Sequence, residues 1–109
     1  MNIFMDIMEN GLTIIYNLCE DEQTIEEPCS LNLNQASDGQ SFVPTFFPML
    51  MFSDSGKVQR HDQSKVLYSV RPISSVHNMY VEALQNFRAQ RTGIVAPTSA
   101  QVSKLRTVK

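Results

Sequence analysis

The chain has no tryptophan, only four glycines and two cysteines, and no Lys or Arg anywhere in its first 56 residues. Each scarcity excludes something. Gly11, Gly39, Gly56 and Gly93 stand apart, so neither a Gly-x-Gly-x-x-Gly turn nor a phosphate-cradling loop is present. No basic start precedes an apolar core at the front of the chain, as a secretory signal requires, and no Asn-x-Ser/Thr acceptor follows. The longest apolar run, Phe42 to Phe52, contains Pro44 and Pro48. It falls well short of the roughly 20 residues of a membrane helix. These absences predict a cytoplasmic, intracellular protein with no membrane partner. In a reducing compartment Cys19 and Cys29 are expected as free thiols.

Catalytic and metal chemistry find little support. Cys19, Cys29, His61 and His77 do not follow a common zinc spacing. The acidic stretch Glu20–Glu27 lacks the alternating carboxylates and the glycine of a calcium loop. It reads as a solvated loop. His61-Asp62 suggests an oriented imidazole, yet adjacency in sequence supplies neither a nucleophile nor an orienting third group. The expectation is a protein that is not an enzyme, with no metal, cofactor or small-molecule substrate.

What is there is a division of charge. Residues 1–56 hold nine acids and no base, whereas residues 57–109 hold nine bases and two acids. The halves thus carry −9 and +7, which sum to the net −2. Three readings stay open. The halves fold against each other and pair their charges. They meet complementary faces of other molecules, including copies of the same chain. Or the basic half binds nucleic acid.

The length, 109 residues, suits one domain. Ile3, Phe4, Ile7 and Met8 fall at helical spacing and predict a short helix over 1–9, ended by Asn10-Gly11. Alternation predicts strands over 12–18 and 30–34. Pro44 and Pro48 make the first half of Phe42–Phe52 an extended or edge segment, with a buried strand expected at 49–52. After the turn Ser53–Gly56, a polar excursion over 57–64 leads to a strand at 65–71, which pairs back on 49–52 as a hairpin. The strongest element is a helix over about 75–90. Val76, Met79, Tyr80, Ala83, Leu84 and Phe87 line one face, Ser74 or Ser75 caps the start and Gly93 ends it. A last short helix is expected over 100–107 within a basic tail, 94–109, that frays if nothing holds it.

The predicted fold class is α+β: a small, mainly antiparallel sheet packed against the 75–90 helix, with short helical ends. The predicted function is a non-enzymatic protein–protein interaction or assembly module. Its composition also fits a structural component of a phage or viral virion. Phe46, Phe47, Met49 and Phe52 are the expected apolar anchors toward a protein partner or another copy. Arg88, Arg91, Lys104 and Arg106 are the expected electrostatic contacts. The alternatives are a nucleic-acid-binding protein using the basic half and an inhibitor docking its acidic half on another protein.

Overall fold

The computed structural model describes residues 1–93; the expected tail and its helix lie outside the described residues. Six strands and one long helix follow in chain order: β1 (Ile3–Met8), β2 (Thr13–Leu18), β3 (Thr24–Gln35), β4 (Phe42–Pro48), β5 (Lys57–Gln59), β6 (Val66–Val70) and α1 (Ser74–Gly93). The strands form one antiparallel sheet in the order β4-β3-β2-β1-β6, with β5 pairing to β3 beside β4. The α+β architecture is therefore the expected one, with one helix on one face of a small antiparallel sheet.

The front of the chain is a strand and not the predicted helix. β1 lies between β2 and β6. Ile3 and Met5 face the helix side, where they join Ile15, Cys29, Tyr80 and Leu84. Phe4 and Met8 face the other side, with Ile14, Tyr16, Leu18 and Ile25. A strand apolar on both faces places apolar residues at neighbouring positions, which imitates a helical stripe. Asn10-Gly11 closes a tight hairpin to β2: Gly11 has φ +88°, and its N–H donates to the Met8 carbonyl over 2.9 Å.

β3 absorbs part of the acidic stretch. Residues 19–23 turn, held by Asp21, whose Oδ1 accepts from the N–H groups of Gln23 and Thr24 at 2.9 Å each. From Thr24 onward the chain is strand, and Glu26 pairs with Asn17. Between that pair and Ile15–Cys29, β3 inserts one extra residue: Glu27 and Pro28 stand where β2 offers only Tyr16. This bulge is made by Glu27 in the left-handed region (φ 49°), a costly place for a residue with a side chain.

The expected strand at 49–52 is a turn, begun by the Met49 N–H donating to Pro28 O and closed by the Ser53 N–H donating to Leu50 O. The apolar strand is instead Phe42–Pro48, at the sheet edge. Both of its prolines stand opposite helix-side residues of β3, Pro44 at Leu33 and Pro48 at Cys29. Their missing N–H groups are tolerated there because alternate positions of an edge strand face no neighbour. β6 consequently does not pair with 49–52. It pairs with β1 at the far side of the sheet. The excursion over 57–64 contains β5, and residues 60–65 cross the sheet on the face opposite the helix. A one-turn 3-10 helix, Gln63–Lys65, precedes β6, capped by Asp62, whose side chain accepts from the Ser64 N–H.

α1 begins at Ser74, so Ile73 occupies the capping position and accepts the His77 N–H at 2.9 Å. Tyr80 and Leu84 are fully buried, with Val76, Val81 and Phe87 packed around them. Among the described residues no helix is long and apolar enough to cross a membrane.

Candidate functional site

Two features stand out beside the core. The first is a buried polar cluster beneath the 60–65 crossover. Asp6, in β1 between β2 and β6, has no exposed surface. Its Oδ2 accepts the Tyr16 hydroxyl at 2.8 Å and lies 2.6 Å from His61 Nε2. Its Oδ1 accepts the Ser69 hydroxyl at 2.6 Å. Neighbouring strands place these groups: Ser69 of β6 stands directly opposite Asp6, and Tyr16 of β2 shares the same face. The His61 ring meets Tyr16 edge-on at 5.4 Å between centroids. Burial first, then the hydrogen bond and charge of Asp6, push the Tyr16 phenol up to about 12, with Arg60 opposing.

This cluster contains a serine, a histidine and an aspartate, yet Asp6 is its hub. Ser69 and His61 each bond to Asp6, whereas nucleophile activation requires the serine to bond the imidazole. What the arrangement does is hold the crossover to the sheet through a satisfied carboxyl group. Asp62, the neighbour that the sequence suggested for His61, caps the 3-10 helix instead. Among the described residues no group of three or more His, Cys, Asp or Glu side chains is placed to hold a metal ion. Cys19 and Cys29 are free thiols.

The second feature is an apolar surface that α1 leaves uncovered. β3 and β4 run on past β2: pairing of β2 with β3 ends at Ile14–Ser30, while Leu31–Gln35 pair with Phe46–Phe42 alone. The result is a two-stranded arm, closed by a turn in which Asp38 accepts the N–H groups of Gln40 and Ser41. On its helix side Leu33 is 62% and Phe42 63% exposed, and Ile73 at the head of the helix is 70% exposed. Together with Met5, Pro44 and Met79 they line a groove of about 540 Å³ between arm and helix. Tyr68 and Val70 of β6 are exposed as well.

The anchors expected from sequence do not form one patch. Phe46 is half-buried under α1, 6.0 Å from Tyr80 between ring centroids. Phe47, one residue on, faces the opposite side of the sheet. Met49 and Phe52 lie in the following turn, and Phe52 is 90% exposed. Arg88 makes a two-pronged ion pair with Glu26, Nη2–Oε1 2.6 Å and Nε–Oε2 3.1 Å. Burial raises the Glu26 carboxyl, but hydrogen bonds from Arg88 and Asn17 outweigh it and hold the group below its ordinary range. Arg91 lies in the last turn of α1, and Lys104 and Arg106 fall outside the described residues.

The other described bases are partly engaged too. Lys65 meets Glu9 at 3.4 Å, and Arg60 Nη1 donates to Glu22 O at 3.4 Å. Arg71 donates to Ile3 O and stacks 4.0 Å over the Phe4 ring. The groove residues Leu33, Phe42 and Ile73 carried only a weak sequence signal. Leu31 and Leu33 alternate with asparagines as they would on any half-buried strand. No family model matches this chain, and no match was found among characterised proteins.

Proposed function

We propose that this protein is a protein–protein assembly module whose contact surface is the apolar groove between the β3–β4 arm and the start of α1. One observation carries the reading. Leu33, Phe42 and Ile73 stand together, each more than half exposed, on the helix side of the sheet, next to the buried core of Ile3, Ile15, Cys29, Tyr80 and Leu84. Contiguous apolar surface of this kind marks interaction sites, and isolated two-stranded hairpins are marginal in water. The arm's neutrality agrees with an apolar contact. Between Glu27 and Asp54 its only charged residue is Asp38, in the turn. The basic-half alternative, nucleic-acid binding, carries less weight because Arg60, Lys65, Arg71 and Arg88 each meet a carboxylate, a carbonyl or a ring of this same chain.

The reading is tested by placing a photo-crosslinking side chain at Phe42, at Ile73 and, as a control, at exposed Val58 on β5. Protein adducts at the first two positions and none at the third are expected. Adducts equally frequent at Val58, or none at any position, overturn it.

A further inference from the structure

Resting on that reading, we infer that the partner on the arm is a second copy of this chain, joined edge to edge through β3. The backbone supports this directly. Because Pro44 lacks an N–H, the Leu33–Pro44 pair exchanges no full set of bonds, and Leu33 turns its N–H and C=O away from β4. Gln35, two residues on, turns the same way. On that side β2 has already ended its pairing, at Ser30. Among the described residues the arm therefore presents an open strand edge, which is a template for another strand.

Three arguments select a second copy as the occupant. First, the edge is self-complementary. Two arms running antiparallel set Leu33 of each copy against Gln35 of the other, every N–H opposite a C=O, with Asn34 facing Asn34 across the two-fold axis. The amides of the two asparagines carry both donors and acceptors, so like can bond like. Second, charge permits it. The arm is neutral apart from Asp38, which is occupied within its own turn. Third, the other long edges are guarded against like pairing. β4 presents Pro44 and Pro48 outward, and β6 is flanked by Lys65 and Arg71, which would oppose each other in an antiparallel copy. A two-fold axis perpendicular to the sheet keeps both helices on one side. Leu33 and Phe42 of both arms then share a continuous apolar surface.

The test is the molar mass of the purified full chain, by sedimentation, over a concentration series at low and high salt. The expected result is a monomer–dimer equilibrium little changed by salt, because the contact is uncharged. Gln35→Pro removes an edge N–H in each copy, and Asn34→Asp sets two carboxylates face to face. Each should weaken dimerisation by at least about tenfold. Val58→Lys, on β5, should leave it unchanged. Circular dichroism confirms that the variants stay folded, and Asn34→Asp alters only an exposed side chain, bonded to Thr45. A monomer at every concentration, a dimer indifferent to both arm variants, or one dissolved by salt overturns the inference. If the pure chain is monomeric while Phe42 still crosslinks to a different protein, the second copy is rejected and the assembly reading stands. If no protein crosslinks at Phe42 or Ile73, both fall.

Discussion

The hydroxyl of Tyr80, in the middle of α1, donates to the carbonyl of Glu27, the bulge residue of β3, over 2.6 Å. Two irregular features are thereby joined. The bulge turns carbonyl groups toward the helix, and the helix meets them with its one buried polar group on that face. Burial first, then the neighbouring Cys29 and Glu26, raise the Tyr80 phenol far above its ordinary range, so it acts as a donor at any physiological pH. Tyr80→Phe keeps the ring against Phe46 and leaves the buried carbonyl short of a donor. We expect a loss of about 1–3 kcal/mol in a urea unfolding series, with an unchanged slope. Stability equal to the parent would show that the hydroxyl does not anchor the helix.

The Asp6 hub predicts an ordering of variants. Ser69→Ala removes one of its donors and should cost about 1 kcal/mol. Asp6→Ala strands Tyr16, Ser69 and His61 together, and should cost several times more, about 3 kcal/mol or above. Chemical unfolding of both variants checks the ordering. Equal losses would mean that the crossover does not depend on the carboxyl group.

Acid should weaken the Arg88–Glu26 link in a defined direction. The Glu26 carboxyl is held below its ordinary range in the folded chain. Its contribution is therefore fully present above the unfolded value of about 4.3, and is lost as pH falls through the lower folded value. Both side chains retain some exposure, so Arg88→Met should cost only about 1 kcal/mol at neutral pH. The gap between parent and variant should shrink as pH falls below the unfolded value of about 4.3 and vanish below the lower folded one. A gap that persists in acid would assign the loss to packing of the arginine stem.

The two thiols should react in sequence. Cys29 is fully buried, and burial pushes its thiol up to about 12. Cys19 is raised as well, by burial first, with Lys57 opposing and Glu26 and Asp21 adding, but it keeps some exposure. An alkylating reagent at mildly alkaline pH should modify Cys19 slowly in the native chain, and Cys29 only after unfolding. Peptide mass mapping with time checks this; native modification of Cys29 would place the 28–30 segment nearer the surface.

The sequence alone determined the elements whose period is unambiguous. The helix around Tyr80 and Leu84 declares one face, and β2 and β6 carry an apolar residue at every second position. The α+β class followed from those three, and the prolines at 44 and 48 already placed their segment at an edge. The division of charge was visible as well, though what it does depends on the fold: Glu26 with Arg88, and Glu9 with Lys65, are pairs within the chain.

Only the tertiary structure decided the rest, because the deciding interactions are distant in sequence. β1 is a strand because both of its faces are covered, a fact invisible in a pattern that reads equally as a helical stripe. Asp6 and His61 are 55 residues apart, and nothing local in either predicts the other. Leu33 and Phe42 look like core residues in sequence. They are exposed because β2 ends its pairing at Ser30 while β3 and β4 continue, and strand length relative to a neighbour is set by the whole sheet. Periodicity declares which side chains share a face; whether another element covers that face is settled by packing.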